Sequence, residues 1–240
     1  MQVLSQYFYK IINYYMLNKL KTTIAVVDSG VGGISVLNEL IKRYPTYNFI
    51  YFADNLYMPY GKKSKRFLRK RADGIITKLK KTYLVDTIII ACNTLSSVID
   101  IMKYEDVFIM PFNKDFTYLA TPLTKKTLTD NQIIADCNLA SLIERNIFDN
   151  VSLNRIIKAH VKRFKLYEYS CLILGCTHYE LCYELFKKYC PNTNIIKNSD
   201  FLFNEIKLDY ISNEDKPSVV VILTKPSAEY RDKVLKLIRR

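Results

Sequence analysis

Cys92 and Cys176 occupy matching settings. Each ends an apolar run, VDTIIIAC at 85–92 and YSCLILGC at 169–176, and each is followed by small polar residues, Asn93-Thr94 and Thr177-His178. A helical pattern comes next in both places. A thiol at the first turn of a helix meets the positive end of the backbone dipole, which lowers its pKa and favours thiolate. From an ordinary value of about 8.5, a modest shift makes such a group a usable base near neutrality. Two such thiols on opposite faces of a bound carbon could remove a proton from one side and return one on the other. That is stereochemical inversion without a cofactor.

In open α/β sheets, ligands bind beyond the carboxyl ends of the strands. The strand TTIAVVD ends in Asp28-Ser29-Gly30, and NFIYFAD ends in Asp54 and leads to Pro59-Tyr60-Gly61. TYLAT ends in Thr121, with Thr124 close behind. Asp28 and His178 lie beside the strand tips and could assist proton movement, while the hydroxyls and amides offer donors for a carboxylate. Taken singly, each residue also has a plain structural reading. Asp28, Ser29, Asn93 and Thr94 could cap helices, the threonines could be turn residues, and His178 and the cysteines could belong to the core. The glycines of GVGG, 30–33, do not fit a dinucleotide fingerprint and read as a tight turn. No Gly-Lys-Ser/Thr follows, which excludes a phosphate-binding P-loop.

The elements that must position these residues alternate from residue 22 onward. ISVLNELIKRYP, KRFLRKRADGIITKLKKTYL, TLSSVIDIMKY, LASLIERN, SLNRIIKAHVKRFKLYE, ELCYELFKKYCP and AEYRDKVLKLIRR read as helices. VFIMP, NIIKN and SVVVILT read as strands besides those already quoted, and NQIIADC follows TYLAT without an assignment. Strands and helices alternating with short connections predict an α/β fold with mostly parallel sheets flanked by helices. The parallel between ACNT and GCTH predicts two similar domains facing one another, with the site in the cleft between them. VLSQYFYKIINYYM, 3–16, has paired apolar residues at helical spacing and reads equally as an added amphipathic helix or as upstream sequence, with Met16 an alternative start.

Composition narrows the class. The chain has 240 residues, 49% of them hydrophobic, six cysteines and two histidines. No apolar stretch is long enough to span a bilayer, and no secretory signal is legible, so a cytoplasmic protein without a membrane partner is expected. No cysteines form a C-x-x-C pair and only His160 and His178 accompany them, so no metal site is expected. The net charge is +13 and KKSKRFLRKR, 62–71, is strongly basic. Without interleaved aromatics this run reads as a solvated helix face rather than a nucleic-acid site.

Together these stretches resemble the glutamate racemases of the aspartate/glutamate racemase superfamily. The resemblance rests on VVDSGVGGISVLNEL, IYFADNLYMPYGKKS, IIIACNTLSS, YLATPLTKKT, LASLIERN and LILGCTHYELC, in that order. It implies a cofactor-independent, two-base interconversion of L- and D-glutamate that supplies D-glutamate for peptidoglycan. On it, Cys92 and Cys176 are the proton-transfer thiols, assisted by Asp28, Glu144 and His178. Ser29, Pro59, Tyr60, Gly61, Asn93, Thr94, Thr121, Thr124 and Thr177 hold the substrate. It also implies a homodimer. It divides the chain into an N-terminal extension at 1–21, a first α/β domain at 22–112 with 196–240, and a second at 113–195. The second is shortened, since MPFNKDFTYLAT lacks a helix usual there. Leu95 stands where alanine is usual, and Glu180 where proline is usual. Two alternatives stay open on sequence: a racemase of aspartate or another amino acid, and a weakened relative acting as a binding protein.

Overall fold

The computed structural model describes residues 22–208 and 217–238. The expected helix at 3–16 and the extension that contains it lie outside the described residues. Strands β1 (Thr23–Asp28), β2 (Asn48–Ala53), β3 (Thr87–Ile90) and β4 (Val107–Ile109) make the body of one sheet. Strands β5 (Thr117–Ala120), β6 (Gln132–Ala135), β7 (Cys171–Gly175) and β8 (Asn194–Lys197) make a second, in the order β6-β5-β7-β8. The last strand, β9 (Val219–Leu223), returns to the edge of the first, giving β4-β3-β1-β2-β9. Every pairing in both sheets is parallel.

The helices are α1 (Ile34–Arg43), α2 (Lys65–Tyr83), α3 (Asn93–Ser96), α4 (Pro122–Thr127), α5 (Leu139–Asn146), α6 (Asn150–Arg163), α7 (Thr177–Glu180), α8 (Tyr183–Tyr189), α9 (Asn198–Glu205) and α10 (Ala228–Ile238). They cover the sheets as the alternation predicts. β1 shows why: all of its residues are buried, and its alternate side chains feed different cores. Ala25 and Val27 pack with Ile50, Phe52, Ile88 and Ile90 under the α2 face made by Leu68, Ala72, Ile75 and Leu79. Ile24 and Val26 point the other way, into a core that also contains Leu119, Leu172 and Leu174 of the second sheet. One apolar cluster therefore joins the two sheets. Each Ile or Leu buried in it contributes about 2 kcal/mol.

Two local expectations change. TLSSVIDIMKY is not one helix. α3 stops at Ser96, and only a short turn of tight helix follows at Ile101–Lys103. Serine hydroxyls intervene. Ser96 Oγ donates to Ile90 O at 3.0 Å and accepts from Met110 N at 3.0 Å, while Ser97 Oγ donates to Thr94 O at 2.9 Å. Such bonds offer the backbone an alternative to helix. The division expected after residue 195 falls inside β8, whose ladder with β7 runs through Lys197. α9 then packs on β7 and β8, so the second layer extends past the expected boundary. Residues 110–116 connect the sheets without a helix, as the shortened MPFNKDF predicts.

The basic run is mostly a solvated face of α2. Two of its arginines bond to neighbouring elements: Arg69, itself exposed, donates from Nε to Val98 O at 2.7 Å, and the half-buried Arg71 pairs with buried Asp54.

Candidate active site

The carboxyl ends of β1, β3, β5 and β7 converge on one narrow cavity of about 20 Å³. Cys92 lies just beyond β3 of the first sheet and Cys176 just beyond β7 of the second; both are buried and both line the cavity. Ser29 joins them from β1, and Asn93 and Thr94 from the start of α3. The turn of Pro59, Tyr60 and Gly61, which follows a cis Met58–Pro59 bond, forms another wall. Thr121, Thr177 and His178 close the second side. Asp28, Glu144 and Thr124 stand behind this lining, bonded to it.

Two side-chain chains lead away from the thiols. Cys92 Sγ is 3.8 Å from Ser29 Oγ, which lies 3.5 Å from Asp28 Oδ1. Cys176 Sγ is 4.0 Å from His178 Nδ1, and His178 Nε2 is 2.5 Å from Glu144 Oε2. The Glu144 carboxylate is further held by Val31 N–H at 3.1 Å and by the Tyr230 hydroxyl at 2.7 Å. Asp28 accepts from Gly30 N–H at 2.9 Å and from Thr177 Oγ1 at 2.9 Å. Gly32 makes that last contact attainable, because a Cβ there would sit 2.4 Å from Thr177 Oγ1. The glycines of GVGG all have ordinary negative φ. They provide room for close approach rather than an unusual backbone conformation.

A hydroxyl ladder and a buried carboxylate shape the remaining walls. Thr94 Oγ1 and Thr121 Oγ1 lie 3.0 Å apart, as do Thr121 Oγ1 and Thr124 Oγ1. Asn93 accepts on Oδ1 from Asn198 Nδ2 at 2.5 Å. Tyr60 OH donates to Asp54 Oδ2 at 2.5 Å, and Arg71 donates to both Asp54 oxygens at 2.7 Å. Leu95, in a place usually small, is fully buried in the core with Leu68 and Leu123. It is not among the cavity walls.

The electrostatics reverse one expectation. Burial pushes the Cys92 thiol well above its ordinary value, and the charge of Asp28 pushes the same way. The lowering expected from a helix N-terminus is outweighed. α3 has only four residues, so its aligned dipoles are few. Burial also raises Asp28, against the opposing pull of His178, the Gly30 N–H and Thr177. His178 runs the other way. Burial disfavours its charged ring, yet bonds to Cys176 and Glu144 hold its pKa well above the usual value. Glu144 is lowered, since the bonds from His178, Tyr230 and Val31 outweigh its burial. His178 and Glu144 thus form a buried hydrogen-bonded pair beside Cys176, with His178 pushed towards its charged form and Glu144 towards its own.

A relative from Buchnera aphidicola subsp. Schizaphis graminum named glutamate racemase is 30% identical over 228 residues, covering 82% of this chain and 88% of its own. The chain belongs to the glutamate racemase family. No protein-family model matches it. The fold agrees with glutamate racemase structures. That of the Campylobacter jejuni subsp. jejuni enzyme superposes with a TM-score of 0.74 at 24% identity, covering 91% of this chain and 98% of that one. That of the Francisella tularensis subsp. tularensis enzyme, in complex with D-glutamate, gives 0.71 at 23%, covering 92% and 94%.

Sequence reasoning named most of the residues that line or back this cavity, but not Tyr230, Asn198, Met58 and Ala140. Met58 and Ala140 line the cavity, and Met58 directly precedes Pro59. Tyr230 lies in α10, far along the chain from Glu144, and no local pattern links them. Among the described residues, no three His, Cys, Asp or Glu side chains gather as a metal site. None of the described helices is long and apolar enough to cross a membrane.

Proposed function

We propose that the protein interconverts L- and D-glutamate by proton transfer at Cys92 and Cys176, without a cofactor. The observation that carries the reading is their placement: two buried thiols, from the strand tips of different sheets, line one cavity. Each has its own polar chain, Ser29–Asp28 behind Cys92 and His178–Glu144 behind Cys176.

One sulfur, as thiolate, takes the α-proton of the bound amino acid. The other, as thiol, delivers a proton to the opposite face of the same carbon. One proton enters and one leaves, so the product differs only in configuration and the two sulfurs exchange protonation states. The raised pKa of Cys92 fits the donating state. When protonated, the His178 ring can give the proton on Nδ1 to a Cys176 thiolate, and the neutral ring left behind can take one back at the same nitrogen. Asn93, Thr94 and Thr121 offer donors for the substrate carboxylates, with Thr124 and Asp28 acting from behind the lining through Thr121 and Ser29. A cavity of about 20 Å³ holds roughly one water, so substrate entry requires the strand tips to part. The same reading places the protein in the cytoplasm, as a homodimer supplying D-glutamate for peptidoglycan.

The test is circular dichroism of L-glutamate incubated with reduced, folded protein, together with deuterium uptake at Cα from heavy water. Cys92→Ser and Cys176→Ser should each lower turnover by about 10²–10⁴-fold. Absence of both racemisation and exchange in the parent protein, or full activity in either serine variant, rejects the proposal. An aspartate arm separates glutamate from a sister substrate.

A further inference from the structure

Glu180 closes α7, the short helix that begins directly after Cys176. The residue is 3% exposed. Both of its oxygens are held by one residue: Ser199 donates its backbone N–H to Oε1 at 3.0 Å and its hydroxyl to Oε2 at 2.7 Å. Ser199 is the second residue of α9, so the carboxyl group caps that helix. The first residue of α9, Asn198, is fully buried and donates from Nδ2 to Asn93 Oδ1 at 2.5 Å. Asn93 directly follows Cys92 and lines the cavity. A continuous line of buried polar contacts thus joins the turn carrying Cys176 to the turn carrying Cys92.

We propose that Glu180, Ser199 and Asn198 are positioning residues that set the placement of the Cys92 turn against the Cys176 turn. The inference rests on reading those two cysteines as the proton-transfer pair. Two-sided inversion needs both sulfurs within reach of one carbon at once, and a misplacement of about 1 Å costs on the order of 10²-fold in rate. The two turns extend from different sheets, and no strand ladder sets their separation. On one side, Thr177 and Asp28 tie the second sheet to the first; the α9 contacts make a second tie, to α3. The Asn198 bond also engages the Asn93 oxygen, and Asn93 Nδ2 has no partner among the described residues. That leaves the nitrogen as a donor for a ligand carboxylate.

Stability alone does not account for Glu180. Burying an ionisable group with only neutral donors is costly, and apolar side chains of similar volume commonly replace such groups at no loss. Burial pushes its carboxyl up to about 7, with Ser199 and Lys197 opposing and Asp200 reinforcing.

The experiment measures alkylation of each thiol by iodoacetamide, read by peptide mass spectrometry, alongside kcat and KM in both directions. It compares the parent with Glu180→Gln, Glu180→Leu and Ser199→Ala. Glu180→Leu and Ser199→Ala should each speed alkylation at both Cys92 and Cys176, and lower kcat by about tenfold in both directions, with a smaller change in KM. Glu180→Gln keeps an acceptor for the Ser199 N–H and should stay near the parent. Faster alkylation at Cys176 alone, or at neither thiol, overturns the proposal, because a merely local role would not reach Cys92. Parent-level kcat in Glu180→Leu overturns it as well. If the parent racemises glutamate and the cysteine variants do so equally well, the two-thiol reading fails instead.

Discussion

Thr177 Oγ1 donates to Asp28 Oδ2 across 2.9 Å, joining the tip of β7 in one sheet to the tip of β1 in the other. Gly32 lies against this contact. A Cβ at that position would sit 2.4 Å from Thr177 Oγ1 and 2.7 Å from His178 N. The second is a backbone atom and cannot simply swing aside. Gly32→Ala should therefore part the two strand tips, costing about 1–3 kcal/mol in urea unfolding and lowering kcat/KM for glutamate more than stability alone explains. Activity at the parent level would show that the tips tolerate the separation.

Tyr230→Phe tests the environment of Glu144. The folded-state pKa of Glu144 lies below its ordinary 4.5. Its stabilising contribution is therefore present above that value and is lost as pH falls through the folded pKa. Removing the Tyr230 hydroxyl raises the folded value. The variant should lose about 1 kcal/mol of stability at neutral pH, and its acid limb of kcat/KM should move to higher pH. The measurement is a pH–rate profile paired with denaturant unfolding at pH 4 and pH 7. An unmoved acid limb would separate Glu144 from the proton chain.

Arg71→Ala strips a fully buried carboxylate of its cation. Among the described residues the Asp54 side chain then keeps only the Tyr60 hydroxyl, so stability should fall by about 3 kcal/mol. Because Tyr60 and Gly61 line the cavity, KM for glutamate should rise as their turn loosens. Asp54→Asn in the same background should recover part of the stability, measured by urea unfolding, since it removes the stranded charge.

Leu95→Ala separates core from site. Leu95 lies within α3, is fully buried in the core with Leu68 and Leu123, and does not line the cavity. The substitution should cost about 3 kcal/mol of stability while KM for glutamate stays within about twofold of the parent. A large change in KM with little loss of stability would place the side chain at the substrate instead.

Much of the site was legible because its residues are local to strand tips. The period of the apolar runs marks each strand, and the polar residues that follow mark its carboxyl end. Cys92, Cys176, Asp28, Ser29 and the threonines could be gathered that way, with Glu144 added through family resemblance. The helix expected after Cys92 was overread. Its apolar spacing suits a helix, but the hydroxyls of Ser96 and Ser97 compete for the backbone there.

The sequence by itself determined the parallel α/β architecture, the order of its elements and the tips at which polar side chains collect. These follow from short-range periodicity. Only the tertiary structure decided that burial and Asp28 raise the Cys92 thiol where a helix end was expected to lower it. It alone brought Tyr230 to Glu144 and Asn198 to Asn93. Desolvation depends on everything packed around a group, and these contacts close between elements far apart in the chain. Local sequence pattern encodes neither.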